Sequence, residues 1–263
     1  MATVDGLVTL FYDGSKELWN ENLNWERSIA LLTGVRANDL ESSNVSDECK
    51  RYFRERLSWE QIIIVDGVTV IPAFTFYMCK NIKRAVFADT VLRIENLAFF
   101  QCAGLVFIKL PVNLEYVGDL AFVECNLSSV FIPPRCLEIG TRAFAGNANL
   151  AILNVPQDVD FDDEVVLGTK LLQRSPNPHY MNITWLMNIN NDERFALHRV
   201  CSSFEPTLEM ILDTMKERGG LNAFKVENSI GITPSRYLKE NPYASVSEKE
   251  IIENFIMQMM GER

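Results

Sequence analysis

Apolar residues return along the middle of this chain at an interval that neither a lone helix nor a lone strand explains. Phe76, Phe99 and Phe122 stand 23 residues apart, each followed three residues later by a cysteine (Cys79, Cys102, Cys125), and Phe144 opens a fourth copy. A small residue precedes each phenylalanine (Thr75, Ala98, Ala121, Ala143), and an aliphatic one (Ile82, Leu105, Leu127, Leu150) opens a short strand after it. A fixed period of roughly 20 to 50 residues marks stacked units, none of which can bury its apolar face alone. Pro111, Pro133 and Pro156 follow the strands and stop their pairing, because proline has no backbone donor. Gly118 and Gly140 follow the second short apolar run, where the chain must turn tightly.

The frame Ile94, Ala98-Phe99, Cys102, Leu105, Pro111, repeated in register, resembles the BspA-type leucine-rich repeat over residues 61–156. That resemblance implies an α+β chain: a short leucine-rich-repeat solenoid of about four coils, closed by an N-terminal cap and followed by a C-terminal helical module. It also implies a scaffold, because repeats of this kind serve many partners. Thr75 in place of Ala, Ala88 in place of Pro and Asn147 in place of Cys suit end units, which are commonly atypical.

A solenoid exposes its core at both ends unless something closes it. Residues 1–60 read as the N-terminal cap: Asp5-Gly6 and Asp13-Gly14 are turn signals around a strand at Leu7–Tyr12, and a helix is expected from about Ser46. Trp19, Trp25 and Trp59 are expected to pack within it. After Pro156 the repeat is expected to stop, with 157–190 a linker whose acids, Asp158 to Glu164, form a solvated loop, and Ser175–His179 a boundary. From 191 to 263 the period becomes helical, ending in a helix with a Ser247–Glu250 capping box and a buried stripe of Ile251, Ile252, Phe255, Ile256 and Met259. Leu197-His198 and the turn Gly231-x-Thr233-Pro234 resemble a degenerate ankyrin pair, although the two copies lie 38 residues apart where ankyrin uses about 33.

Composition narrows the functional classes. At 48% hydrophobic over 263 residues the chain can bury one or two cores, and a formal net charge of −10 disfavours a nucleic-acid partner. No uncharged run is long enough to span a membrane. Asp5 and Asp13, with no basic residue ahead of the first apolar stretch, argue against a signal peptide, so a cytoplasmic protein with reduced cysteines is expected. Cys79, Cys102 and Cys125 then read as small buried hydrophobes; their spacing lacks the paired knuckles of zinc modules, and no metal or cofactor is expected. Cys201 sits one helical turn after His198, the spacing of a nucleophile and its base, but no third orienting group accompanies them, and helix packing is the preferred reading.

The residues between the buried ones of each strand should face outward. They include Arg84, Val86, Phe107, Lys109, Phe131 and Ile152, and these six are the expected partner-binding residues, because interfaces favour aromatic and arginine anchors. The competing expectation is that they pack beneath the N-terminal segment or a neighbouring loop, or are merely β-formers. The leading function is a non-enzymatic scaffold or adaptor for a protein partner, with neither nucleic acid nor membrane as ligand. A structural or cell-surface attachment protein, as the resemblance to surface antigens suggests, is the alternative, and an uncharacterised enzyme is third.

Overall fold

The computed structural model describes residues 2–14, 47–156, 158–173, 196–217, 220–228 and 231–260. Ser46, Trp19, Trp25 and the Ser175–His179 boundary lie outside them. Two short strands, β1 (Ala2–Val4) and β2 (Leu7–Tyr12), form a hairpin whose Asp5 and Gly6 both have positive φ, 52° and 77°. That pair of left-handed residues matches the twist of antiparallel strands. Helix α1 (Asp47–Ser58) follows, and then the coils begin.

Each coil contributes one strand to each of two parallel ladders. In the first, β2 pairs with β3 (Gln61–Ile64), β3 with β5 (Arg84–Val86), and β5 with β7 (Phe107–Ile108). Beyond it, β9 (Ser129–Phe131) pairs with β11 (Ile152–Asn154). The second ladder runs through β4 (Val70–Ile71), β6 (Arg93–Ile94), β8 (Tyr116–Val117), β10 (Glu138–Ile139) and β12 (Asp160–Phe161). A third ladder lies in the turns: the amides of Phe76, Phe99 and Phe122 donate to Ala98, Ala121 and Ala143 of the next coil at 2.7–2.8 Å.

The periodic phenylalanines form the spine of the core. Phe76, Phe99, Phe122 and Phe144 are fully buried, with successive ring centroids 4.9, 5.1 and 5.5 Å apart. Backbone strain bends the chain around them, since a left-handed residue stands two positions to either side: Leu97 and Gln101 about Phe99, Leu120 and Glu124 about Phe122. Such residues cost about 1 kcal/mol each outside glycine. The alternating hand lets the coil turn its amides toward the next coil while the ring points inward.

The cysteine column does more than fill space. Cys102 Sγ donates to the carbonyl of Phe76 and Cys125 Sγ to that of Phe99, both at 3.2 Å. Asn147, the expected end-unit departure, performs the same task with more bonds. Its Nδ2 donates to Phe122 O at 2.8 Å and to Phe144 O at 2.9 Å, while its Oδ1 accepts from the Leu127 amide at 3.0 Å. Above the column, Arg56 of α1 is buried and donates from Nη1 to Tyr77 O at 3.0 Å and to Cys79 Sγ at 3.6 Å.

The stacking continues past Pro156, where a linker was expected. β12 joins the second ladder, Phe144 N donates to Val165 O at 3.0 Å, and Val166 and Thr169 occupy the places of the phenylalanine and the cysteine. A short helix α2 (Lys170–Gln173) buries Leu171 and Leu172. The acids from Asp158 to Glu164 therefore sit on a strand and turn of this coil with their side chains exposed or half-buried, while Val159 and Phe161 between them are buried. Valine for phenylalanine and threonine for cysteine keep the backbone register while erasing the signature.

The C-terminal module holds α3 (Ala196–Ser202), α4 (Leu208–Glu217), a 3-10 helix at Gly220–Lys225, α5 (Pro234–Glu240) and α6 (Val246–Met260). Thr233 caps α5, accepting from the Arg236 amide, with Pro234 in the first turn where no amide is needed. The cap of α6 is Ser245, whose Oγ accepts from Glu248 N at 3.1 Å, two residues earlier than expected. Its buried stripe narrows to Ile252 and Ile256, while Ile251 and Met259 are about half exposed.

Candidate partner-binding face

The outer surface of the first ladder is built by strand alternation. Ile62, Ala85 and Ile108 point into the core, so their neighbours project outward in two rows. One row runs Thr9, Gln61, Arg84, Phe107, of which Thr9 and Gln61 are buried; the other runs Phe11, Ile63, Val86, with Lys109 just beyond β7. The expected binding residues divide here into two groups. Arg84, Phe107 and Lys109 are exposed, Phe107 at 47%, and Val86 is half-buried. Phe131 and Ile152, at 3% and 0%, are covered, so they are not part of an open face.

Phe131 is covered by the C-terminal module, and not by the N-terminal segment or a neighbouring loop as the competing expectation had it. Tyr237 meets Phe131 edge-on, with centroids 6.5 Å apart, and Asn154 Nδ2 donates to Ser202 O at 3.0 Å. Tyr243 offers its hydroxyl proton to Leu110 O at 3.0 Å, with Phe131 O at 3.3 Å, and burial pushes its phenol above the ordinary range. Asn241, fully buried, holds that tyrosine: its Nδ2 donates to Ser203 O and Cys201 O, and its Oδ1 accepts from Tyr243 N at 2.9 Å. Lys109 lies at the edge of the cover, its Nζ 5.7 Å from the Tyr243 ring centroid.

The open portion gains residues that the sequence reading did not include. Phe11 is 48% exposed and stands in register with Ile63, itself in register with Val86, so three apolar side chains cross three adjacent strands. The alternation in Leu7–Tyr12 marks Phe11 as outward once β2 is known to join this sheet. Arg84 has an exposed neighbour in Asp5 at 3.5 Å. On the second ladder, Arg93, Tyr116 and Glu138 stand in register as a column, with the Arg93 guanidinium 4.0 Å over the Tyr116 ring.

The His198–Cys201 pair is structural in its surroundings. His198 Nε2 is hydrogen-bonded to Ile232 O at 2.8 Å; burial lowers its pKa, against the opposing pull of the backbone at Ile232 and Val226. Cys201 is fully buried and its thiol is pushed up to about 12 by burial. Among the described residues no three His, Cys, Asp or Glu side chains are grouped to hold a metal ion, and no helix is long and apolar enough to cross a membrane.

The thiols yield a direct test. Cys79, Cys102, Cys125, Cys136 and Cys201 are free and buried, and burial drives Cys79 and Cys136 up to about 12 and Cys102 well above its ordinary value. Thiolate is the reacting form, so at pH 8 about one in ten thousand of a thiol at 12 is reactive. Folded protein treated with a maleimide and analysed by peptide mass is expected to leave these five unmodified until denaturant is added. Rapid labelling at native stability would contradict the buried column.

A stack of short parallel strands, with an apolar spine and an outward sheet face, defines a leucine-rich-repeat protein. The chain belongs to the BspA type leucine rich repeat family, whose model matches residues 43–174 in six copies. Among solved structures it is similar to a leucine-rich repeat protein from Bacteroides ovatus, with 29% identity over 40% of this chain and 27% of that one, at a TM-score of 0.38. It is also similar to the leucine rich repeat protein of T. pallidum, with 25% identity over 38% of this chain and 59% of that one, at a TM-score of 0.36. The chain thus spans less than two thirds of either protein. No curated protein matches it.

Proposed function

We propose that this protein is a non-enzymatic, cytoplasmic interaction scaffold that binds a partner protein on the open part of the first sheet. The observation that carries this reading is the apolar row of exposed Phe11 and half-buried Ile63 and Val86, bordered by the exposed Phe107, Arg84 and Lys109. Aromatic and arginine side chains on a rigid sheet supply large contact area with little ordering cost, which is what an interface centre uses. The net charge of −10 favours a protein over nucleic acid or an anionic membrane as partner. We read the C-terminal helices as an ankyrin-like module, a reading supported by the pairs α3–α4 and α5–α6, by the Thr233-Pro234 helix start and by the His198 bond to Ile232.

The test is capture of partners from the native cell by the full chain against the double variant Phe107→Glu, Arg84→Glu. Both positions are exposed, so thermal stability should move by less than about 0.5 kcal/mol while capture is lost. Unchanged capture would place binding elsewhere on the molecule.

A further inference from the structure

The open face differs in charge from the rest of the chain. Against a formal net charge of −10, the two outward rows of β2, β3, β5 and β7 carry Arg84 and Lys109 and no acid. Asp5, in the hairpin turn, reaches Arg84 at 3.5 Å, but both side chains are more than half exposed, so the pair is weak and a carboxylate from outside can displace it. On α6, Lys249 donates from Nζ to Lys239 O at 3.1 Å; burial lowers its pKa, Glu253 opposes that, and Lys109 adds to the lowering. The same face, one coil further on, already holds a ligand of known chemistry, the module's own Tyr237 and Tyr243, seated on Phe131 and beside Lys109. The uncovered part continues that interface with the same pairing of apolar surface and cation.

We propose that the open face binds an extended acidic segment of the partner protein, its aromatic or aliphatic side chains resting on Phe11, Ile63, Val86 and Phe107 and its carboxylates meeting Arg84 and Lys109. This deepens, and rests on, the reading of the face as a partner site. The row from Phe11 to Lys109 crosses three strand spacings, roughly 15 Å, the length of about five extended residues. Such a segment places alternate side chains on the sheet and leaves the intervening acids at the cationic rim. Nucleic acid would need a broader basic footprint than two or three cations on an acidic chain.

The experiment selects random heptapeptides displayed on phage against the full chain, then measures synthetic copies of the enriched sequences in solution. Enrichment of Asp or Glu beside Phe, Tyr, Trp or Leu is expected. Affinity should fall about tenfold with Arg84→Glu and again with Lys109→Gln, and it should weaken as salt rises to about 0.5 M. Lys109→Gln removes the charge but keeps a long side chain beside Tyr243, so a melting curve matching wild type excludes loss of the module. Uncharged or basic winners that are still lost with Phe107→Glu would overturn the acidic assignment and leave the partner site standing. Winners indifferent to Phe107→Glu, or no enrichment at all, would overturn both. Binding of a labelled oligo-dT, or self-association lost with Arg84→Glu, would replace the acidic peptide by a different occupant.

Discussion

Replacing Phe99 with alanine is expected to remove about 3–5 kcal/mol of stability, a large share of what a domain of this size possesses. Phe99 is 0% exposed and lies between Phe76 and Phe122, at centroid distances of 4.9 and 5.1 Å, with Phe87 edge-on at 5.7 Å. Truncation leaves a void whose walls cannot close in, because their spacing is set by three hydrogen-bonded ladders rather than by side-chain packing. The lost ring contacts add to the transfer term. Urea unfolding should show a lower midpoint, and Phe99→Leu, which keeps most of the volume, should lose less than half as much. A loss well under about 1 kcal/mol for the alanine variant would contradict the register of the spine.

Gly118→Ala, a gain of one methyl group, should cost about 3 kcal/mol, at the upper end of overpacking effects. A Cβ built on Gly118 would stand 2.5 Å from the amide nitrogen of Asn96 and 2.6 Å from the carbonyl carbon of Glu95. Neither neighbour can move aside. Gly118 N donates to Ile94 O at 2.7 Å, and Asn96 Oδ1 accepts from Asp119 N at 2.8 Å, so coils two and three are locked at this corner. Gly140 meets Asp119 in the same way one coil later, and Thr141 N donates to Asp119 Oδ1 at 2.8 Å. The expected readout is a lowered urea midpoint with rapid hydrogen exchange first at the amides of these corners. Gly67→Ala, at a site open to solvent but with φ of 91°, serves as the control for backbone strain without collision.

Where the sequence repeats, the structure was legible in it. Phe76, Phe99 and Phe122 announce the spine because a stacked coil places one side chain per turn at the same depth, and selection for volume there leaves one residue type. The donor role of Cys102 and Cys125 was invisible, since a small apolar residue fits the same spacing; only Asn147, able to donate to the same carbonyl position, hints at it. Val166 and Thr169 conceal the further coil because backbone ladders need no particular side chain. The candidate face was half legible. Alternation correctly turned Phe107 and Lys109 outward, but which outward residues stay open depends on a distant cover: Phe131 is buried by Tyr237. Phe11 joins the face through a pairing with Ile63 that no local pattern encodes.

Tyr243 also orders events in time. The side-chain bonds between coils span 20 to 26 residues of chain, whereas the hydroxyl of Tyr243 reaches back 133 residues to Leu110 and 112 to Phe131. The longer closure adds only roughly 1.5 kcal/mol of loop entropy, too little to matter at equilibrium. On a ribosome, however, the coils through Phe131 emerge more than a hundred residues before the tyrosine that will cover them. Neighbour-by-neighbour stacking is expected to run first and the helices to dock last. In that interval Phe131 lies bare on the same sheet face as Phe107, so the nascent chain passes through a stage stickier than the finished protein, and a chaperone has its natural point of hold there.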